Sequence, residues 1–489
     1  MSSTVAATLP DPRACERARL TRDARFDGLF YTAVASTGIY CRPVCPAPPA
    51  RAKNVRYFRT AAAAAAAGFR PCLRCRPEAA PGSPLHHAAS ALVAAALRLI
   101  DEGLLDRAPA SALAARLGIG ERHLRRLFAD ELGASPNQVA ANRRLLLAKR
   151  LLDEGELSIT RIAQAAGYAS LRRFNTAFRA AWGASPRALR ERRRKPVGDA
   201  VPTALSLRLP YRAPFDFAQL LDFAARRAIR GVEVVAGGSY QRSFVFEGEP
   251  GWFSVASDAG ADQLRLRIQH PRAAALGLVA ARVRRMFDLD ADPVAIRAAL
   301  GRDARIGPLI RRWPGQRLPG CWDGFEMAVR AILGQQVSVA AASTLAARIA
   351  ERFGEPFTAD AEPALTRLSP APAALAGAAL EDCGVMPARA AAIRALATAV
   401  REGKVDFSGA QPAAALRQAL LALPGIGPWT ADYLAMRAQA DPDAFPAGDL
   451  ILRRAAGDGT TLTARALEAM SAAWRPWRAY AVMLLWRSS

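Results

Sequence analysis

The sequence predicts a multidomain, mainly α-helical protein. It comprises a small α+β head, a tandem helix-turn-helix region, a further α+β domain and an all-α tail built on a helix-hairpin-helix. Three observations predict this. At 489 residues the chain exceeds one ordinary core, and Pro/Gly-bearing stretches at 77–84 and 190–202 break it. A segment of the middle repeats itself 50 residues on. From about Val279 to the end only helical patterns occur, interrupted by Gly and Pro. The expected domains are residues 10–80, 85–195, 203–290 and 291–489.

Composition narrows the function classes. The chain is 51% hydrophobic, with 8 Trp, 8 Tyr and 19 Phe, enough to build folded domains rather than a disordered tail. A formal charge of +24 favours a polyanionic partner, nucleic acid before membrane. Only Lys53, Lys149, Lys195 and Lys404 are lysines. A GC-rich genome would explain Arg over Lys, but not the excess of cations over anions. No run reaches the roughly 18 apolar residues of a membrane span. The first residues carry no basic region followed by an apolar run, so no signal peptide is expected and the cytoplasm is the default.

In the head, four of the seven cysteines form two close pairs, Cys41-x3-Cys45 and Cys72-x2-Cys75, with 26 residues between. That spacing suits tetrahedral Zn²⁺ held by four thiolates, and spacing alone leaves a purely structural zinc ribbon open. His86 and His87 are spare ligands nearby. Ala61 to Ala67 reads as a short helix with Thr60 as N-cap and Gly68 ending it. Phe30-Tyr31, Thr37-Gly38-Ile39-Tyr40-Cys41-Arg42-Pro43, Asn54-Val55 and Gly68-Phe69-Arg70-Pro71-Cys72 together resemble the zinc domain of the Ada methylphosphotriester repair proteins, over about Asp23 to Glu78. The resemblance implies that Cys41 accepts a methyl group from a DNA phosphotriester while Cys45, Cys72 and Cys75 complete the metal site. It also implies DNA contacts at Thr37 and Arg70, with Pro48 standing where the family has a further basic contact.

In the middle, Arg126 to Pro136 is echoed by Ala177 to Pro186, and a short helical pattern ending in glycine precedes each copy, Ser111 to Gly118 and Ile159 to Gly167. Helix, glycine turn and second helix make a helix-turn-helix, here twice. The pair resembles the AraC-type regulator domain over about Ala88 to Arg193. Arg122, His123, Arg125 and Arg126 in the first unit, and Arg172, Arg173 and Asn175 in the second, are candidates for DNA contact. Any one of these arginines is as readily a phosphate contact, which positions without specifying. Leu124, Leu127, Phe128, Phe174 and Phe178 are expected in the core.

The tail opens with alternating Leu205, Leu207 and Leu209, and Leu264, Leu266 and Ile268, which read as half-buried strands, with a helix over Phe217 to Arg227 between them. Further on, Leu423-Pro-Gly-Ile-Gly-Pro-Trp-Thr-Ala431 is a helix-hairpin-helix loop. Gly425 and Gly427 let the backbone turn and bring N–H groups to a phosphate at a helix N-terminus. Asp449 follows about 20 residues later. Together with Leu318 to Glu326, Val329 to Ser338 and Trp474 to Tyr480, these residues resemble the AlkA-type 3-methyladenine DNA glycosylases, from about Leu205 to Arg487. The resemblance implies that Asp449 is the catalytic carboxylate, that Trp429, Tyr433 and Trp486 line the pocket for a flipped base, and that Gly425, Gly427, Thr430 and Gln336 meet DNA. Gln336 stands where the family carries an apolar wedge. It further implies a monovalent cation held by the carbonyls of Leu421, Leu423 and Ile426.

Bifunctional relatives carry a Schiff-base lysine where this chain has Trp429, so a monofunctional enzyme using water is expected. Cys321 and Cys383 stand alone, without the quartet of an iron–sulfur cluster. No Pro-Cys-His motif for guanine methyl transfer occurs. The combined expectation is an alkylation-response regulator fused to a glycosylase. It would act on alkylated and operator double-stranded DNA in the bacterial cytoplasm and nucleoid, with RNA polymerase as partner. The alternatives are a regulator whose hairpin tail binds DNA without catalysis, and a glycosylase whose head and middle only anchor it.

Overall fold

The computed structural model describes residues 9–82, 90–154, 157–192, 205–359, 362–411, 413–457 and 459–489. The spare-ligand candidates His86 and His87 lie outside them. The chain divides into two compact units, residues 1–211 with 260–281, and 212–259 with 282–489.

The first unit begins with the head. Strands Tyr31–Val34, Ile39–Cys41, Val55–Phe58 and Arg70–Pro71 form one sheet. Ile39–Cys41 pairs antiparallel with Tyr31–Val34 and parallel with Arg70–Pro71, so Cys41 ends one strand and Cys72 follows its neighbour. The sheet thus delivers both cysteine pairs to one place. The alanine run forms the expected helix, Ala61–Ala66: the Thr60 hydroxyl accepts from Ala63 N at 2.9 Å, and Gly68 follows at φ +89°.

Both helix-turn-helix units are present as Ala110–Arg116 with Glu121–Leu132, and Ile159–Ala165 with Leu171–Trp182. Gly133 and Gly183 end the second helices at φ +70° and +69°, a left-handed conformation that glycine adopts without steric cost. Leu124, Phe128, Phe174 and Phe178 are fully buried, while Leu127 is only partly so. The head packs on this region. Arg59 and Thr60 donate to the carbonyls of Glu131 and Leu132, at 2.6 and 3.0 Å. The short alanine side chains permit the approach: a Cβ at Gly133 would stand 3.1 Å from that of Ala63. The buried Lys149 ammonium bonds Asp153 at 2.6 Å and Glu78 at 3.4 Å, and lies 5.3 Å from the Trp182 ring centroid.

The predicted strands Leu205–Pro210 and Gln263–Gln269 pair antiparallel, with Leu205, Leu207 and Leu209 opposite Ile268, Leu266 and Leu264. All six are buried. The helix predicted from Phe217 runs to Ala225.

In the second unit, Glu233–Ala236, Ser239–Phe246 and Glu249–Ser257 form an antiparallel meander that periodicity does not reveal. Two neighbouring residues of the middle strand, Arg242 and Ser243, are both buried, which breaks the alternation. Helices follow. One apolar core gathers Ile332, Leu333, Ile393, Leu396 and Leu434, and a second gathers Leu452, Trp474, Met483 and Leu484. Tyr433 packs against both, on the helix that starts at the glycine hairpin.

Candidate functional site

Helices Ala413–Leu421 and Pro428–Ala438 flank the hairpin. Gly425 has φ +76°, and a Cβ there would approach the Ala392 Cβ to 2.8 Å, so both conformation and space require glycine. Gly427 caps the second helix and Pro428 occupies its first turn, where a missing N–H costs nothing. Gly425 and Gly427 are exposed. Thr430 is buried, and its hydroxyl accepts from Gln335 Nε2 at 3.1 Å. Its side chain therefore faces the protein rather than a DNA strand. The same Gln335 amide donates to the Gly425 carbonyl at 2.9 Å, tying loop 334–338 to the hairpin. Gln336, next in sequence, is exposed in the left-handed region at φ +56°. A non-glycine residue pays for that conformation.

Asp449 has two roles at once. Its Oδ1 accepts from Leu452 N at 2.9 Å as N-cap of helix Leu450–Ala455. Trp429 Nε1 donates to Oδ2 at 3.0 Å, and Trp486 Nε1 donates to Oδ1 at 3.2 Å. Oδ2 accepts a single bond and so keeps capacity for another donor. Trp429 stacks on Tyr433, with centroids 5.3 Å apart and planes at 11°, and Trp486 lies 6.3 Å from Tyr433. Asp449 and all three rings line one cavity of about 760 Å³. Helix spacing puts Trp429 and Tyr433 on one face, while the last helix, Arg478–Ser488, brings Trp486 to them. The result is a half-buried carboxylate, oriented by two indoles and a backbone N–H, in an aromatic cavity large enough for a purine.

Sequence reasoning missed Gln335, Phe223 and Arg227. The last two reach the cavity from helix Phe217–Ala225 and the residues after it. An aromatic and an arginine four apart on a helix carry no signal that separates them from core and surface.

In the head, the four sulfurs of Cys41, Cys45, Cys72 and Cys75 lie within 4.8 Å of one another. Such a set fits a single tetrahedral zinc ion. Arg42 N donates to Cys75 Sγ at 3.3 Å and its guanidinium to the Cys75 carbonyl at 3.0 Å, the outer support a thiolate ligand needs. Cys72 and Cys75 are buried, whereas Cys41 and Cys45 are partly exposed. They open on a cavity of about 460 Å³ lined also by Thr37, Arg70 and Trp182. Thr37 and Arg70 are exposed.

On the second helix of each helix-turn-helix, Arg122, Arg125, Arg126, Arg172 and Arg173 are exposed, and His123 and Asn175 are partly buried. Arg125 pairs with Glu121, and Arg126 lies 3.2 Å from His123 Nδ1. Among the described residues, no helix is long and apolar enough to cross a membrane.

Comparison with known proteins gives four family-model matches. These are the metal binding domain of Ada over 14–78, a helix-turn-helix domain over 113–192, the AlkA N-terminal domain over 206–323, and the HhH-GPD superfamily base excision DNA repair protein over 329–479. A Mycobacterium tuberculosis relative, "Probable bifunctional transcriptional activator/DNA repair enzyme AlkA", is 43% identical over 479 residues, 97% of this chain and 96% of its own. DNA-3-methyladenine glycosylase 2 of Escherichia coli is 36% identical over 282 residues, 57% of this chain and 95% of that one. Among solved structures, a 3-methyladenine DNA glycosylase from Archaeoglobus fulgidus matches with TM-score 0.51 at 21% identity, covering 57% of this chain and 97% of that one, a likeness of fold.

Proposed function

The chain belongs to the AlkA family of bifunctional transcriptional activators and DNA repair enzymes, and from that premise we propose that it both excises alkylated bases such as 3-methyladenine and reports alkylation to the transcription machinery. The observation that carries the reading is the Asp449 carboxylate, held by Trp429 and Trp486 in an aromatic cavity beside the glycine hairpin. A base must leave the stack to be cut from its sugar, and an aromatic pocket favours one made cationic by alkylation. Asp449 stabilises the cationic sugar and orients the attacking water. Trp429 in place of a lysine supports simple hydrolysis. The hairpin N–H groups after Gly425 and Gly427 hold a phosphate, and the carbonyls of Leu421, Leu423 and Ile426 are the candidates for a monovalent cation. Gln336 enters the gap that the flipped nucleotide leaves. A helix cap alone explains the Leu452 bond but not the two indole donors that hold the carboxylate in the cavity.

In the head, Cys41, Cys45, Cys72 and Cys75 hold zinc, which when bound keeps the thiols ionised at neutral pH. Cys41 is the methyl acceptor by its match to the Ada motif, a reading supported by its being one of the two partly exposed sulfurs, with Cys45, in the cavity that Thr37 and Arg70 line. Its sulfur forms a bond to the methyl carbon as the carbon–oxygen bond breaks, and the electron pair stays on the phosphate oxygen. One negative charge is thereby lost from the site, repulsion from DNA falls, and the Arg122, Arg125, Arg126, Arg172 and Arg173 helices grip an operator more tightly. RNA polymerase is the partner such an activator recruits, in the cytoplasm and at the nucleoid.

Release of methylated bases from alkylated duplex DNA tests the enzyme. Wild type should release them and Asp449→Asn should fall by at least about a hundredfold; equal, negligible release by both removes the reading. Mass spectrometry after exposure to methylated DNA should find one methyl group on Cys41, and an unmodified thiol would leave the head a structural module.

A further inference from the structure

Five arginines line the base cavity: Arg226, Arg227, Arg330, Arg437 and Arg487. Four are readily explained. Arg330 pairs with Glu233 and Glu326 at 3.0 and 3.3 Å, and Arg487 with Asp216 at 2.9 Å. Buried Arg437 donates to the Pro319 and Gly320 carbonyls and the Tyr433 hydroxyl. Arg226 is exposed to water.

Arg227 is different. It is partly buried, its Cζ stands 3.7 Å from the Phe223 ring centroid, and its Nη1 donates to the Phe223 carbonyl at 3.2 Å. Among the described residues no carboxylate pairs with it. Burial pulls its guanidinium down to about 10. Among the described residues its one side-chain hydrogen bond is to the Phe223 carbonyl, so most of its five donors have no protein partner. Its place is nonetheless fixed, because Arg330, itself held by two glutamates, donates to the Arg227 carbonyl. A cavity made only for cationic bases would be better without this charge.

The bond being broken supplies a reason. When the bond between the sugar C1′ and a neutral base breaks, its electron pair leaves with the base. The sugar becomes positive and the base negative. Asp449 serves the sugar end. Trp429 donates to Asp449 and stacks on Tyr433, Arg227 stacks on Phe223, and all five residues line the same cavity. Carboxylate and guanidinium are therefore both within reach of one bound nucleotide, each beside its own aromatic ring. Resting on the glycosylase reading above, we propose that Arg227 stabilises the negative charge on a departing neutral base and so determines whether damaged bases without a positive charge are cut.

Water adds its oxygen to C1′ and loses a proton to the solvent, and the anionic base then takes a proton from solvent. Arg227 keeps its own throughout. A cationic alkylpurine leaves as a neutral molecule, so it needs no such partner. The repulsion it suffers when bound is relieved as it departs, and the two effects oppose each other.

Single-turnover release of hypoxanthine, a neutral base, and of 7-methylguanine, a cationic one, from otherwise identical duplexes tests this. Arg227→Ala should slow hypoxanthine release about a hundredfold, the scale of one charge-directed donor, and change 7-methylguanine release by less than about threefold. Arg227→Lys keeps the charge and should recover part of the hypoxanthine rate, which a packing defect would not allow. Equal slowing of both bases, or of neither, overturns the proposal. Wild type that releases 7-methylguanine but not hypoxanthine also overturns it and leaves the glycosylase reading intact. Wild type that releases neither removes both.

Discussion

Trp486 and Asp449, 37 residues apart in sequence, meet through an indole N–H donating to carboxylate Oδ1 at 3.2 Å. The same oxygen caps helix Leu450–Ala455 through Leu452 N. The proposed catalytic group is thus also a helix cap, so the carboxylate is positioned by backbone as well as by side chains. Such fixing lowers the cost of reaching a transition state, because the charge needs no reorganisation as the sugar turns cationic.

Trp486→Phe separates orientation from stacking. Phenylalanine keeps an aromatic wall but removes one donor to Asp449, while the Trp429 and Leu452 bonds remain. The single-turnover rate should fall about tenfold, the worth of one hydrogen bond to a charged group. The melting temperature should change little. A loss as large as that of Asp449→Asn would mean that stacking, not orientation, is the role of Trp486.

Gln335 joins loop 334–338 to the hairpin, both proposed to meet DNA, since its amide bonds the Gly425 carbonyl and the Thr430 hydroxyl. Gln335→Ala frees loop 334–338, including exposed Gln336, from the hairpin. Binding to undamaged duplex should weaken about tenfold, as expected when an anchoring pair of hydrogen bonds is lost. Release from saturated enzyme should fall less. Fluorescence anisotropy beside single-turnover kinetics separates the two, and unchanged affinity would show that the loop holds its place unaided.

Particular residues show what sequence discloses and what it hides. Leu205, Leu207 and Leu209 alternate because one face of their strand is buried, so they were readable and pair with the equally readable Leu264, Leu266 and Ile268. Strand Ser239–Phe246 was not, since Arg242 is buried by pairing with Glu233 on the adjacent strand and with Glu326 on a distant helix, partners that no alternation reveals. In the site, Trp429 and Asp449 were legible because a hairpin motif fixes their spacing. Gln335 and Arg227 owe their placement to partners far along the chain or to an absence of partners, and neither leaves a local pattern. Thr430 shows what a motif leaves unstated: the fold turns its hydroxyl inward onto Gln335, so any DNA contact there belongs to its main chain.

Lys149 holds the head to the helix-turn-helix region, buried between Glu78 and Asp153 with Trp182 beside it. Arg76 also pairs with Glu78 at 3.3 Å and with Asp153 at 3.1 Å, so removing Lys149 leaves two buried carboxylates to share one cation, at a cost of up to about 3 kcal/mol. Lys149→Met keeps the volume and removes only the ammonium charge. Thermal unfolding of the first unit should move down by several degrees, and limited proteolysis should cut near the junction sooner. Restored stability on adding Glu78→Gln would assign the loss to the carboxylate left in excess over Arg76. No recovery would assign it to packing against Trp182.

Glu326 gives the second unit a defined acid limit. Burial pushes its carboxyl up, but the charges of Arg242 and Arg330 outweigh this and hold it at about 2, below its ordinary 4.5. A carboxyl depressed in the folded state stabilises the fold above its ordinary value, and that contribution is lost as the pH falls from about 4.5 towards 2. Glu326→Gln cannot titrate and leaves Arg242, 1% exposed, with Glu233 as its remaining carboxylate partner. The variant should be less stable at neutral pH by about 3–5 kcal/mol, the cost of breaking a buried pair. Denaturant unfolding followed across pH 7 to 2 should show the wild-type advantage shrinking below about 4.5, in proportion to protonation of this one group. An advantage constant down to pH 2 would mean that glutamate shape, not its charge, supports Arg242. Because Arg330 joins this cluster to the Arg227 carbonyl, base release by the variant should also fall before the unit unfolds.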